Sequence, residues 1–505
     1  MKNMEHFDAI IIGSGLGGLA CGTMLAKEGY RVCVIEKNKQ IGGNLQTFVR
    51  DHVLFDSGVH YVGGLDKGQN LYHLFKYLGI MDKLKLRRLD NDVFDAIVFE
   101  GDSAVYKFAQ GYENFIRVLA EQFPEEEEAL RKYCDTIKEI CSKFPLYNLR
   151  KGDYLEKLSA LEIDTKAFIE SCTSNKKLQN ILAGTSLLYA GEPDKTPLYV
   201  HALVLNSYIE SSWRFVDGGS QIARYLSRQI VAKGGRIVNF TEITKLVEEN
   251  GKIAYAESGI GERFFGSLYI SNVHPVKTME MTDSDRIKKA FRSRLKNLEN
   301  SISVFYINVV MKEKSMKYIN HNYYYFAVDN AWSVLNYDDD SWPMGYALYC
   351  AASSKDEEYA EGVTLMTYMR FNEMQRWQNT TNTVAQESDR GEDYAQFKKE
   401  KSEKLFACVE RKFPGFTNNI KSYYTATPLT VRDYIGTDDG SLYGIVKDYR
   451  EPMRTFISPR TKISNLFLTG QNLNLHGVLG VTVNAVMTCA EILGMDHILN
   501  KIKNG

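Results

Sequence analysis

Gly13, Ser14, Gly15, Leu16, Gly17 and Gly18 spell G-x-G-x-x-G, a spacing whose chemistry is the holding of a diphosphate. Residues without a β-carbon let the turn tighten, let backbone approach the phosphates and let the next helix lie close to its sheet. The N-terminus of that helix then faces the phosphate charge. Glu36 stands at the end of the following apolar run, where a carboxylate accepts hydrogen bonds from a ribose. A second pair, Gly42-Gly43, comes directly afterwards between Gln40-Ile41 and Asn44, and a plain nicotinamide site does not need it. No metal-ligand cluster and no Ser-His-Asp or Cys-His spacing stands out.

The elements that must position these residues are legible around them. Residues 7–12 read as a buried strand, 16–28 as a helix closed by Gly29 and 31–35 as a second strand, one complete strand-helix-strand unit. Residues 94–108 read as two paired strands around Glu100-Gly101-Asp102. Pro124 followed by Glu125 to Glu128 is a helix start, with proline in the first turn and carboxylates near the positive end. Residues 303–311, 322–328 and 363–371 predict strands of a second sheet, and the polar stretch 376–401 a surface helix or loop.

A chain of 505 residues exceeds what one core usually organises, so two domains are expected. The net charge of -1 gives no global attraction to nucleic acid. The eight cysteines are scattered without a CxxC pair, which suits a reducing cytoplasm. The apolar run near the N-terminus ends at Gly13, too short for a signal peptide, and no stretch approaches the roughly 18 apolar residues of a spanning helix.

Glu36-Lys37 followed by Gly42-Gly43 resembles the extended FAD fingerprint of the amine oxidase-type superfamily, which includes carotenoid desaturases and retinol saturases. Phe55-Asp56-Ser57-Gly58-Val59-His60-Tyr61-Val62-Gly63 is closer to the retinol saturase, phytoene desaturase and carotenoid isomerase branch. So are Thr430 to Tyr434, Gly440 to Gly444, and Asn465 to Asn472 with His476 to Ala485. Phe215 to Ser220, Lys233 to Ile237 and Glu242 to Leu246 resemble the segment that returns to hold adenine through backbone at Ile243, and Ile270-Ser271-Asn272 ends the next strand.

The resemblance implies FAD as the cofactor, held by Gly13 to Gly18, Glu36, Lys37, Gly42, Gly43, Asn44, His60, Ile243, Asn272, Gly470, Gln471, Asn472, Gly480 and Val481. It implies an α/β fold: a doubly wound, Rossmann-like domain of the glutathione-reductase type from residues 1–70, 211–280 and 420–505. An α+β substrate domain with a mixed sheet would come from 71–210 and 281–419. Departures are Gln40 and Asn44 where many relatives carry arginine, leaving Lys37, Lys39 or backbone to meet the phosphates, and Asn472 where many flavoenzymes carry an acid.

The activity implied is saturation or desaturation of a carbon-carbon bond in an apolar polyene. The alternatives are a non-redox cis-trans isomerase and a flavin-containing lipid-binding protein without turnover. With one dinucleotide fingerprint, the electron donor or acceptor must come from outside. His60 reads either as a structural histidine or as a proton donor, and His60 and Tyr61 are the catalytic candidates. Tyr323 to Phe326, Trp332, Trp342 and Tyr346 line either a lipid tunnel or an ordinary core. Ile287, Phe291, Leu295 and Leu298, set among basic residues over 286–298, form a stripe suited to an anionic bilayer surface, with a solvated basic helix as the alternative.

Overall fold

The computed structural model describes residues 5–153 and 155–504. Strand β1 (His6–Ile12), helix α1 (Leu16–Lys27) and strand β2 (Val32–Ile35) form the first unit. Helix α2 (Ser220–Ala232) and β3 (Arg236–Val238) follow after a long excursion, then the meander β4 (Ile243–Glu249), β5 (Lys252–Ser258) and β6 (Arg263–Ser271). Strand β7 (Leu466–Leu468) and helix α3 (Gly477–Leu493) return from the far end of the chain. The parallel order is β3-β2-β1-β6-β7, a doubly wound sheet. Uninterrupted apolar runs such as Val32–Ile35 suit strands covered on both faces. Ala9, Ile11, Val32 and Val34 pack into the core shared with α1 to α3, whereas Ile10, Ile12, Cys33 and Ile35 join the core of the meander.

Close packing of α1 needs glycine. A β-carbon on Gly18 would lie 2.2 Å from the carbonyl oxygen of Gly13.

The second sheet has seven strands in the order Ile420–Ala426, Ser303–Met311, Gly362–Met369, Gly345–Cys350, Asn322–Phe326, Asp95–Phe99 and Tyr106–Phe108. It is mixed, since Asp95–Phe99 and Asn322–Phe326 run parallel and the other pairs antiparallel. Alternation divides its side chains. Tyr306, Tyr324, Tyr349 and Met366 face the core shared with the first sheet's helices, whereas Phe305, Tyr325, Tyr346 and Leu348 pack in a separate core with Leu405, Phe406 and Val409 of helix Glu392–Lys412.

Two expectations change, and the choice between helix and loop is resolved for a third segment. Strand Ile420–Ala426, assigned by sequence to the first domain, is hydrogen-bonded along Tyr306–Met311 in the second sheet, because its residues complete an exposed strand edge. The polar stretch 376–401 becomes helical only from Glu392, after Gly391 at φ +83°. The stripe over 286–298 is not a lipid-facing one: Ile287 and Leu295 are buried in the meander core, and Phe291 and Leu298 pack against it. Several of its cations are occupied within the chain as well, with Arg292 donating to the carbonyls of Met279 and Thr282 and Lys296 paired with Glu280.

Candidate active site

A cavity of about 630 Å³ runs along the carboxyl ends of the parallel strands and under the second sheet. One end is lined by Glu36, Lys37 and Ile243, its middle by Gly13, Gly15, Leu16, Gly17, Gly42, Gly43, Asn44 and Asn272, and its other end by His60, Tyr61, Gln471, Asn472, Gly480 and Val481. Ser14, Gly18 and Gly470 stand behind this wall. The sequence-derived site residues, drawn from segments hundreds of positions apart, therefore meet at one cavity.

The middle is bare backbone. Gly15 pairs with Gly42 in a short parallel bridge, a β-carbon on Gly43 would lie 3.2 Å from Gly15 Cα, and one on Gly17 would lie 2.9 Å from Gly470 Cα. Three turns thus close on one another with no room for side chains. Glu36 holds two of them in place: its Oε2 accepts from the Ser14 N–H (3.0 Å) and Ser14 hydroxyl (2.5 Å), and Ser14 Oγ accepts from the Gly42 N–H (3.1 Å). The N-termini of α1 and α3 both open on the cavity, through Leu16 and Gly17 and through Gly477 to Val481. Helix dipoles there favour negative charge. Lys37 turns away and donates to the carbonyl of Asp433 at 2.9 Å. Among the described residues no arginine lines the cavity and its other lysine, Lys277, is paired with Asp438 and Glu280, so phosphate charge would be met chiefly by backbone N–H groups.

The far end is aromatic. Tyr61, Tyr208, Tyr306, Tyr349 and Tyr443 line it. His60 stacks on Tyr349 with ring centroids 4.3 Å apart, and its Nε2 is buried without a hydrogen-bond partner. Burial, helped by the charge of Arg214, pushes the imidazole down to about 3, so it stays neutral near pH 7. Asn472 Oδ1 and His476 Nε2 are likewise buried without partners on this wall. Three orphaned polar atoms around one end of a glycine-walled cleft fit a flat, hydrogen-bonding ring system such as a flavin. Tyr61 instead commits its hydroxyl to Asp95 Oδ2 and Tyr324 OH, both at 2.8 Å. The motifs around His60 and Gly219 are joined, because Asp56 Oδ1 accepts from the Gly219 N–H at 2.7 Å.

Sequence reading did not name Asp95, Tyr208, Arg214, Tyr349 or Tyr443 as site residues. Tyr349 lies on a strand it did not foresee, Tyr443 falls in the Gly440 to Gly444 segment noted only for its resemblance, and no local spacing marks the others. Of the aromatic residues it did single out, Tyr323, Tyr325, Trp342 and Tyr346 pack in the second core, Phe326 and Trp332 pack in the first core away from the cavity lining, and only Tyr324 reaches the site, one layer behind the wall.

Residues 11–78 match the family model described as an NAD(P)-binding Rossmann-like domain. Over 97% of its length the chain is 26% identical to the all-trans-retinol 13,14-reductase of Rattus norvegicus, covering 86% of that protein. It is 24% identical to prolycopene isomerase 2 of an Oncidium hybrid cultivar over 98% of its length and 85% of the relative. The chain is a relative of the retinol reductases and prolycopene isomerases. A putrescine oxidase variant superposes with a TM-score of 0.65 at 13% identity, over 99% of this chain and 100% of that one. At that identity the match speaks for the shared amine oxidase-type fold alone. The similarity to these relatives spans both sheets, so it covers the aromatic end as well as the glycine turns.

Proposed function

We propose that the chain is an FAD-dependent oxidoreductase that saturates or desaturates a carbon-carbon bond of a retinoid- or carotenoid-like polyene. The observation that carries this reading is the single cavity that joins a side-chain-free diphosphate cradle to an aromatic chamber, in a relative of retinol reductases. The cradle formed by Gly13 to Gly17, Gly42 and Gly43 would hold the diphosphate, Glu36 and Ile243 the adenosine, and Gln471, Asn472, Gly480 and Val481 the flavin. When bound, FAD supplies the hydride chemistry. The chain's residues bind and orient the polyene, exclude water from it and hold the nearby proton-bearing groups. A polyene burying on the order of 500 Å² gains roughly 12 kcal/mol before ordering costs, enough to be held without a charged anchor.

We place the FAD-binding unit in residues 1–70, 211–280 and the segment after 426, with the substrate unit between them. Electrons come from an external partner, because one dinucleotide fingerprint is present. Among the described residues no helix is long and apolar enough to cross a membrane. The free cysteines, buried apart from the half-buried Cys172, suit a reducing compartment such as the cytoplasm. Membrane contact, if the substrate is collected there, would use a surface other than 286–298.

The test is anaerobic incubation of the FAD-loaded, reduced protein with all-trans-retinol and with a cis-carotenoid such as prolycopene, following flavin absorbance and product mass. Reoxidation with a gain of two hydrogens is expected. A geometric isomer with unchanged mass would favour the isomerase reading, which the match to prolycopene isomerases keeps in view. Bound flavin that no polyene reoxidises or consumes would leave only the lipid-binding reading.

A further inference from the structure

We propose that Tyr349 delivers the proton that completes polyene reduction and that buried Asp95 supplies it through Tyr61 and Tyr324. This rests on the reductase reading above and adds the acid half of the reaction.

The parallel pairing of Asp95–Phe99 with Asn322–Phe326 sets Asp95 beside Asn322. Asp95 is fully buried, and its Oδ1 accepts from Asn322 Nδ2 at 2.8 Å. A carboxyl proton therefore belongs on Oδ2, which lies 2.8 Å from Tyr61 OH. Tyr61 OH lies 2.8 Å from Tyr324 OH, which lies 3.3 Å from Tyr349 OH. Tyr324 pairs with Ala347, two residues from Tyr349 on the same face, so the sheet register sets the last step. With Asp95 protonated, each hydroxyl accepts from the one before and donates to the next. The hydrogen of Tyr349, whose ring lines the cavity, is left for an acceptor there.

The surroundings fit a proton store. Burial raises Asp95 to about 7, against the opposing bonds from Asn322 and Tyr61 and the charge of Arg214. Arg214 is itself buried, and its Nη2 donates to Asn322 Oδ1 at 2.6 Å, so Asn322 links the guanidinium to the carboxyl. Tyr208 from helix Leu198–Glu210 stacks on Tyr61 at 4.4 Å, His60 stacks on Tyr349, and Tyr306 and Tyr443 are the further phenols whose charge bears on Tyr349. Burial holds Tyr61, Tyr324 and Tyr349 well above the ordinary phenol range. An isolated phenol that gave up its proton here would leave a buried phenolate. The chain moves that charge to Asp95, where Asn322 and Arg214 support it.

Bound reduced FAD would supply the hydride that closes a C–H bond at one alkene carbon. The chain's own part is the proton: the π pair displaced to the other carbon takes the hydroxyl hydrogen of Tyr349. Tyr349 is refilled from Tyr324, Tyr324 from Tyr61 and Tyr61 from Asp95, which ends as a carboxylate. A solvent proton restores it as product leaves.

The FAD-loaded wild type, Asp95→Asn and Tyr324→Phe are reduced anaerobically and mixed with all-trans-retinol between pH 5 and 9, reading flavin reoxidation and product mass. The wild-type rate should fall as pH rises through about 7. Asp95→Asn should lose roughly 100-fold in rate together with that inflection, and Tyr324→Phe, which keeps the ring, should lose a similar factor. Independently of turnover, infrared titration of the substrate-free holoprotein carrying Asp56→Asn, which removes the other buried acid raised to about 7, should show a protonated-carboxyl band that disappears near pH 7 and is missing once Asp95→Asn is added. A wild-type inflection retained in Asp95→Asn, full activity in Tyr324→Phe, or a band unchanged once Asp95→Asn is added overturns the relay. Wild type that no polyene reoxidises overturns the reductase reading and this role with it, and the infrared band then shows whether Asp95 was nonetheless correctly assigned as the protonated group.

Discussion

The middle of the cavity and its aromatic end are built by opposite means. The diphosphate stretch in the middle consists of backbone from Gly13 to Gly17 and Gly42-Gly43, close in sequence, with Gly470 packed behind Gly17. The aromatic end consists of side chains from separate strands and helices, joined only when two sheets and their connections come together. Binding depends on what is missing in one part. Chemistry depends on what converges in the other.

The largest expected effect tests the first half of that contrast. Gly17→Val puts a branched side chain where a β-carbon would lie 2.9 Å from Gly470 Cα, and overpacking of this kind costs about 3 kcal/mol or displaces the turn. The purified variant should emerge colourless from desalting after incubation with FAD. Normal flavin absorbance would show that the cradle tolerates side chains.

Arg214→Met tests the second half. It removes hydrogen bonds to Tyr318 OH, the carbonyls of Ile319 and His321 and Asn322 Oδ1, leaving buried acceptors unpaired. A loss of about 3 kcal/mol in denaturant unfolding is expected. A change below about 0.5 kcal/mol would mean that the aromatic end does not depend on this anchor.

A subtler effect concerns pH. Burial raises Asp56 to about 7, so between its unfolded value near 4 and 7 the folded chain keeps a proton that the unfolded chain releases. Its stabilising contribution is whole below pH 4 and is lost as pH rises through 7. The melting temperature of Asp56→Asn should gain on that of wild type between pH 5 and 8, and a difference flat across that range would count against a buried acid. His60 and His476, both lowered by burial, act in the opposite sense by withdrawing stability as pH falls below their usual 6.5.

The smallest effect should come from outside the cavity. Lys288→Glu with Lys289→Glu should change stability by less than about 0.5 kcal/mol and leave sedimentation with anionic liposomes unchanged, because the apolar side of that segment is already covered. Weakened lipid binding would restore the surface role.

What could be read in advance follows the same division. Gly13 to Gly18, Glu36 and Gly42-Gly43 act through local backbone geometry, so their spacing alone announces them. Strand Ser303–Met311 and the hairpin around Glu100-Gly101-Asp102 were legible because composition and turn chemistry are local too. Strand Gly345–Cys350 was not, since Gly-Tyr-Ala-Leu-Tyr-Cys has neither polar alternation nor the β-branched residues that mark Ser303–Met311. Asp95 looks like any acid beside a turn until its parallel partner places Asn322 next to it, and that pairing joins residues more than two hundred positions apart. The stripe at 287, 291, 295 and 298 had the right period but an unknown partner, because periodicity does not distinguish a protein core from a lipid.

Because the Lys37 amine is spent on a helix carbonyl, Lys277 is paired with Asp438 and Glu280, and peptide N–H groups would face the diphosphate, this grip would rest little on mobile side-chain charge. Salt should therefore loosen it little, unlike a cleft lined with lysine and arginine. A preparation washed in molar sodium chloride should keep its colour.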